Sequence, residues 1–84
     1  MNWYIYIVLC ADNTLYTGVT TDIARRVREH NGEVSRGARY TIAKRPVALV
    51  YTETAENRSQ ALKREAAIKK LTRHKKEQLI ADQK

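Results

Sequence analysis

The residues that decide the fold are Trp3-Tyr4-Ile5-Tyr6-Ile7-Val8-Leu9, an uninterrupted run of apolar and aromatic side chains near the start of the chain. Aromatic and β-branched residues dominate this run, and both of its faces are apolar. A strand with two apolar faces is typical of the centre of a sheet, because each face must be covered by other parts of the chain. The run therefore predicts a central strand.

A second strand is predicted at residues 15–19, antiparallel to the first and joined to it by the turn residues Ala11-Asp12-Asn13. The length of the turn decides which face each side chain occupies. A three-residue turn places Tyr6 and Tyr16 on the same face, whereas a two-residue turn places them on opposite faces. The sequence alone leaves this register open.

The first helix is predicted near residues 22–31. Thr20 or Thr21 is the expected N-cap, and Asn31-Gly32 is the expected C-terminal stop. Residues 32–45 lack a regular apolar period and are predicted to form a loop.

A third strand is predicted in which Pro46 takes the first position, where a missing N–H disrupts least, and residues 47–51 follow. Asn57 and Gln60 resemble a capping box that opens a helix to about residue 71, and Thr72 can cap a last helix through residue 80. The predicted order is ββαβαα. The fold class is α+β, a three-stranded antiparallel sheet flanked by helices, in one domain spanning residues 1–84.

Length, charge and cysteine content narrow the classes of function. A chain of 84 residues has room for one small domain, and its single cysteine excludes an internal disulfide or a thiolate-held metal. No apolar run is long enough to span a membrane or to act as a signal peptide, so a cytoplasmic protein without a membrane partner is expected. The net charge is +7, and residues 58–84 hold nine basic and three acidic side chains. Such a one-sided excess favours a nucleic-acid partner; the alternative is a solvated, lysine-rich helical surface.

The first helix carries polar side chains on its predicted inner face. A helical wheel groups Ile23, Arg26, Val27 and His30 on that face and turns Arg25, Arg28 and Glu29 away from it. An arginine on a core-facing stripe needs an anionic partner or an opening to a cleft. The alternative is that Arg26 extends past the helix edge into water.

The second helix shows a similar anomaly of opposite sign. Ala61, Leu62, Ile68 and Thr72 define its predicted inner stripe, and Glu65 lies near the middle of that stripe. A carboxylate there needs a cation, and the candidates are Lys69 one turn later, Arg26 across the fold, or a bound metal ion. A Glu65–Lys69 pair would be purely structural.

Two tyrosine motifs add a family resemblance. Tyr4-Ile5-Tyr6 precedes Tyr16-Thr17-Gly18, and the second tyrosine of the first motif lies ten residues before the tyrosine of the other. This arrangement resembles the signature of the GIY-YIG nucleases. It extends to the small stand-alone bacterial UPF0213 group through residues 15–22 and 58–62, so the resemblance covers nearly the whole chain.

Three further residues match the family's pattern in order and spacing. Arg26 resembles the family's helix arginine, His30 occupies a position held by His or Tyr, and Glu65 resembles the metal-binding glutamate. The resemblance implies a metal-dependent endonuclease that hydrolyses phosphodiester bonds with one Mg²⁺ or Mn²⁺ ion. The catalytic set that it implies is Tyr6, Tyr16, Arg26, His30 and Glu65, with Glu65 as the metal ligand.

The resemblance also suggests a role for each of these residues. Arg26 would bind a non-bridging phosphate oxygen, and His30 would accept a proton from Tyr6. Tyr16 would orient the attacking water or the phosphate, although the two tyrosines can exchange roles. The basic side chains expected to hold the nucleic-acid backbone are Arg58, Lys63, Lys69, Lys70, Arg73, Lys75 and Lys76.

The chain departs from the family's pattern at several positions. The first glycine of the signature is Tyr4 here, a lysine of the excision-repair relatives is Val19, and the late asparagine of some nucleases has no counterpart. These 84 residues have no room for the fused DNA-binding domain of the homing and repair relatives, so targeting is expected to come from this domain or from a protein partner. DNA is favoured over RNA as the substrate. Two other classes remain open, a binding module that holds nucleic acid without cutting it and a structural adaptor in which Arg26 and Glu65 pair.

Overall fold

A computed structural model describes residues 2–32 and 44–83, and the predicted order ββαβαα is confirmed. The strands are β1 (Trp3–Leu9), β2 (Leu15–Thr20) and β3 (Ala48–Ala55). The helices are α1 (Ile23–His30), α2 (Arg58–Lys69) and α3 (Arg73–Asp82). Most of the predicted loop at residues 32–45 lies outside the described residues.

The sheet has three antiparallel strands in the order β2-β1-β3, so the apolar run forms the central strand as predicted. A register shift in the β1–β3 pairing falls between Ile7 and Val8. Ile5, Ile7 and Val8 have no solvent exposure, because helices or loops cover both faces of β1.

The hairpin adopts the register that an odd turn requires. Tyr6 pairs with Gly18 and Val8 pairs with Tyr16, so both tyrosines project from one face of the sheet. Asn13 has a positive φ of 71°, a conformation that asparagine tolerates better than most side chains. This turn settles the alternative that the sequence left open.

The two faces of the sheet carry different cores. On one face Ile5, Ile7 and Tyr51 pack with Ala61 and Ile68 of α2. On the other face, the smaller cluster consists of Tyr6, Val8, Cys10 and Val47. Tyr16 of β2 and Val27 of α1 pack against it. The tyrosines of the signature therefore share the smaller core with α1.

Helix α1 begins one residue later than predicted, because its N-cap is Asp22 rather than Thr20 or Thr21. The Asp22 carboxylate accepts a hydrogen bond from the Arg25 backbone N–H at 3.1 Å. The Thr20 hydroxyl instead accepts the Asp22 backbone N–H in a local turn. Asn31 ends the helix as predicted, followed by Gly32 with a φ of 79°.

Strand β3 is longer than predicted and begins after Pro46 and Val47. Asn57 and Thr72 cap α2 and α3 as predicted, each accepting a backbone N–H through its side chain. The predicted inner stripe of α2 is wrong at two positions. Leu62 is 37% exposed. Thr72 lies beyond the helix as the next N-cap, because α2 ends at Lys69, two residues before its predicted end. No helix among residues 2–32 and 44–83 is long and apolar enough to cross a membrane.

Candidate active site

A buried tyrosine–histidine pair lies between the sheet and α1. The Tyr6 hydroxyl and the His30 Nε2 are 2.8 Å apart, and the two side chains come from elements 24 residues apart in sequence. Tyr6 is 1% exposed and His30 is not exposed at all. The sequence placed both on inward faces, and the structure joins them directly.

Gly18 makes room for the Tyr6 ring, a role that was not among the predictions from the sequence. A Cβ at this position would lie 2.5 Å from the Tyr6 hydroxyl oxygen, well inside contact distance. The absent side chain lets the phenol lie across β2 and reach His30. A glycine in the middle of a predicted strand is the signal that could have revealed this close approach.

Tyr16 completes a cluster of three rings. Its ring centroid is 5.1 Å from that of His30 and 6.4 Å from that of Tyr6. The His30 ring meets both tyrosines in an edge-to-face manner, which favours aromatic packing. Tyr16 is only partly buried, so the cluster has one fully enclosed tyrosine and one nearer to solvent.

Arg26 lies beside the ring cluster and is bound to Glu29. Arg26 Nη1 donates to Glu29 Oε1 at 2.9 Å, and Arg25 Nε lies 3.4 Å from Glu29 Oε2. The expectation that Glu29 points away is wrong, since this residue is 9% exposed. Its carboxylate folds back along α1 because the guanidinium on the inner face supplies the counter-charge that burial requires. Arg26 therefore neither extends freely into water nor takes Glu65 as its ion-pair partner.

Burial controls the proton affinities of the Tyr6–His30 pair. It raises the pKa of Tyr6 to about 12, and the Arg26 guanidinium beside the hydroxyl opposes that rise only in part. Burial, reinforced by the positive charge of Arg26, lowers the pKa of His30 to about 4. At neutral pH the pair therefore consists of a neutral phenol and a neutral imidazole. A neutral ring nitrogen can accept the tyrosine proton.

Glu65 reaches the same region from α2. Its negative charge is close enough to contribute to the raised pKa of Tyr6, after burial and less than the other charges nearby. The side chain is 18% exposed and lies 3.5 Å from Lys69 Nζ, a lysine that is half exposed. The predicted i,i+4 pair is therefore present, but it is a long contact at the surface, of a kind that contributes little stability.

The acidic side chains at the site suit only one kind of metal binding. The described residues contain no group of three or more potential metal ligands. Mg²⁺ commonly binds through one or two carboxylates, keeps several waters and takes its remaining ligands from substrate phosphates. A lone, partly exposed carboxylate such as Glu65 fits that mode and does not fit a preformed cage of protein ligands.

A small cavity of about 160 Å³ opens beside Arg26. Arg25, Arg26 and Glu29 of α1 line it, together with Thr20, Thr21 and Asp22 of the preceding turn. Tyr6 and His30 do not line it. This cavity therefore brings solvent to Arg26 and the residues around it, and the buried tyrosine is not part of its wall.

The basic residues predicted to contact a nucleic-acid backbone all lie on or next to α2 and α3. Six of the seven are exposed: Arg58, Lys63, Lys69, Lys70, Arg73 and Lys75; the seventh, Lys76, is partly buried. Arg73 is also engaged locally, since it donates to the backbone oxygen of Asn13 and lies 3.5 Å from Glu77. The region thus presents lysines to solvent with few acidic partners.

Comparisons with known proteins agree with this arrangement. The family described as the GIY-YIG catalytic domain matches residues 2–78. A UPF0213 protein of Desulfotalea psychrophila is 59% identical over 93% of this chain and 70% of its own length. A UPF0213 protein of Natronomonas pharaonis is 51% identical over 95% of this chain and 92% of its own length.

Two solved structures are also similar. The solution NMR structure of a UPF0213 protein from Bacillus halodurans is 43% identical with a TM-score of 0.61, covering 96% of this chain and 84% of that one. The solution NMR structure of a protein from E. faecalis is 46% identical with a TM-score of 0.64, covering 98% and 85% respectively. Two tyrosines on one face of a hairpin, together with an arginine and a histidine of α1, fit these comparisons. The chain belongs to the GIY-YIG family of the nuclease superfamily, and its relatives include proteins named UPF0213.

Proposed function

We propose that this protein is a metal-dependent endonuclease that hydrolyses phosphodiester bonds in nucleic acid, with DNA as the favoured substrate. The observation that carries the proposal is the Tyr6–His30 hydrogen bond of 2.8 Å with Arg26 beside it. Hydrolysis of a phosphodiester needs a proton acceptor, a polarisable hydroxyl and a fixed cation close together, and these three groups are present here. The five proposed catalytic residues are Tyr6, Tyr16, Arg26, His30 and Glu65.

Tyr6 and His30 act as a proton relay in this proposal. As water attacks the phosphorus, its proton passes to the Tyr6 oxygen while the Tyr6 proton passes to His30 Nε2. The concerted transfer avoids a free tyrosinate, which a pKa of about 12 makes costly at neutral pH. Tyr16, nearer to solvent, orients the water or the phosphate.

Arg26 binds a non-bridging phosphate oxygen, where negative charge accumulates in the transition state. Glu29 is a positioning residue for Arg26, because its carboxylate holds one side of the guanidinium against α1 at 2.9 Å. The arginine is then fixed before the substrate arrives, so less side-chain entropy is lost on binding.

Glu65 is the residue that would hold one Mg²⁺ or Mn²⁺ ion. When bound, such an ion supplies Lewis-acid stabilisation of the leaving-group oxygen. The Glu65 carboxylate must first separate from Lys69, and the 3.5 Å contact at a half-exposed lysine makes that separation inexpensive.

The basic side chains of α2 and α3 provide affinity for the backbone of either DNA or RNA. They do not read sequence, because contacts with phosphates carry no base information. The choice of target therefore rests on the shape of the substrate or on a protein partner.

The test is a cleavage screen on branched, single-stranded and duplex substrates with Mg²⁺ or Mn²⁺. Wild-type protein should cut at least one of them, and Arg26→Ala should reduce the rate by about 10²–10³-fold, the effect of removing one transition-state donor. Arg28→Ala is the matched control, since it removes an exposed arginine from the same helix. Equal losses in both variants would contradict the proposal.

A non-cleaving nucleic-acid-binding module is the second candidate, and the observation that favours it is the buried state of Tyr6. A tyrosine that is 1% exposed cannot touch an attacking water without some opening of the site. Strong binding to all substrates, with no cleavage under either metal ion, would select this alternative.

A further inference from the structure

Tyr4 is the first residue of the motif Tyr4-Ile5-Tyr6, and the proposed chemistry does not use its aromatic side chain. The alternation along β1 puts Tyr4 on the same face as Tyr6. Residues two apart on a strand are separated by about 6–7 Å, so the Tyr4 ring lies close to the proposed site.

The neighbours of Tyr4 on that face are small and polar. Its partner on β2 is Thr20, and its partner on β3 is Thr54. Tyr4 is partly exposed and belongs to neither hydrophobic core cluster. Within the described residues, the ring contacts and the buried hydrogen bond of this face join Tyr6, Tyr16 and His30, and Tyr4 takes part in none of them.

The cavity beside Arg26 borders this surface at Thr20. Thr20, the β2 partner of Tyr4, lines the cavity together with Arg26. Two carboxylates also line it, but both are engaged: Asp22 accepts the Arg25 backbone N–H, and Glu29 accepts from Arg26. A phosphate held by Arg26 would therefore have Thr20 and then Tyr4 as its next neighbours along the sheet.

We propose that Tyr4 is a stacking platform for an unpaired base of the substrate strand, next to the phosphate that Arg26 holds. A partly exposed aromatic ring on a sheet face, near a cationic side chain, is an arrangement by which proteins bind single-stranded nucleic acid, since every base has a π face. The flanking threonines are small enough to leave space for a base. The Thr54 hydroxyl can donate a hydrogen bond to it, whereas that of Thr20 is already bonded to the Asp22 backbone. This inference rests on the proposed function and narrows the substrate to one with single-stranded or displaced nucleotides at the cleavage position.

The inference is tested by binding in EDTA, so that cleavage plays no part. The probes are a single-stranded oligonucleotide and a series of the same oligonucleotide with one abasic position moved along it. Tyr4→Phe should bind like the wild type, and Tyr4→Val should bind about tenfold more weakly, a typical loss for one stacked base. Leu49→Ala is the matched control, because Leu49 is 41% exposed and pairs with Val8 at the other end of the same face.

The abasic series decides the matter even if Tyr4→Val folds poorly. For the wild type, an abasic site at one position should weaken binding about tenfold. Tyr4→Phe should lose affinity at that same position. A flat abasic profile, or a Tyr4→Val variant that folds and binds as tightly as the wild type, would overturn the inference. Cleavage without dependence on Tyr4 would leave the proposed function standing, whereas Tyr4-dependent binding without cleavage would remove the nuclease activity and retain the platform. Absence of any oligonucleotide binding would overturn both.

Discussion

The cluster around Tyr6 and the basic surface of α2 and α3 differ in how strongly their charged and polar groups interact with one another. In the cluster, Tyr6, His30 and Arg26 are enclosed or partly enclosed, and the charge of Arg26 alters the proton affinities of both Tyr6 and His30. On the basic surface the lysines are mostly exposed and water screens them from one another. Substitutions should therefore interact strongly within the cluster and add independently on the surface.

The largest effect of a substitution on cleavage is expected at Glu65. This residue lies on α2, but its charge acts on the cluster around Tyr6. Glu65→Gln should lower cleavage by about 10³-fold, because the variant loses the proposed metal ligand while retaining the side-chain shape. The melting temperature should hardly change, since the Lys69 contact is a surface pair. The measurements are single-turnover cleavage with Mn²⁺ and thermal melting with and without the ion.

One result would reverse the interpretation of Glu65. If the wild type melts at the same temperature with and without Mg²⁺, and Glu65→Gln melts well below it, the carboxylate is a structural partner. The matched control is Glu77→Gln, which breaks the comparable Arg73–Glu77 contact on α3.

Acidification should destabilise the protein through His30. The pKa of about 4 in the folded state lies below the ordinary value of 6.5, so the unfolded chain binds more protons between these values. The stabilisation is present above pH 6.5 and is lost as the pH falls towards 4, to an extent on the order of 3 kcal/mol. Urea unfolding at pH 7 and pH 4.5 measures it.

His30→Gln serves as the comparison, because it lacks the titrating group. Its stability should fall less than that of the wild type over the same pH interval. Equal falls would mean that His30 does not remain neutral in the folded protein.

The pairing of Glu29 with Arg26 predicts non-additive effects. Glu29→Ala should lower kcat by about tenfold, with KM level or lower, because a loosened guanidinium still attracts phosphate but is less well positioned in the transition state. In an Arg26→Ala background the same change should have almost no further effect on kcat.

The other ion pair of Glu29 provides the control. Arg25 also contacts Glu29 but is 70% exposed. If Glu29→Ala and Arg25→Ala combine additively while Glu29→Ala and Arg26→Ala do not, Glu29 acts through Arg26. Additive effects in both cycles would indicate a structural role alone.

The smallest effects are expected on the basic surface. Lys63→Gln and Lys70→Gln should each weaken oligonucleotide binding by a few-fold, and the double variant should show the product of the two. The slope of log affinity against log salt should decrease by somewhat under one for each lysine removed. Binding that is insensitive to salt and to both substitutions would identify these charges as a solvated surface.

The sequence by itself determined the order of the elements, the central position of β1 and the family. It could do so because strand and helix periods, caps and motif spacing are local properties of the chain. The predicted caps at Asn57 and Thr72 are confirmed, whereas the α1 cap moved to Asp22 because several nearby side chains could compete for the same backbone groups.

Only the tertiary structure decided how the site is assembled. The hairpin turn put Tyr6 opposite Gly18, which let the phenol cross β2 to His30. The Glu29 carboxylate is buried because it pairs with the Arg26 guanidinium, and a helical wheel does not show that side-chain contact. Burial then set the pKa values of the tyrosine and the histidine. Register, side-chain direction and desolvation depend on residues far apart in sequence, and for that reason they follow from the fold and not from any local pattern.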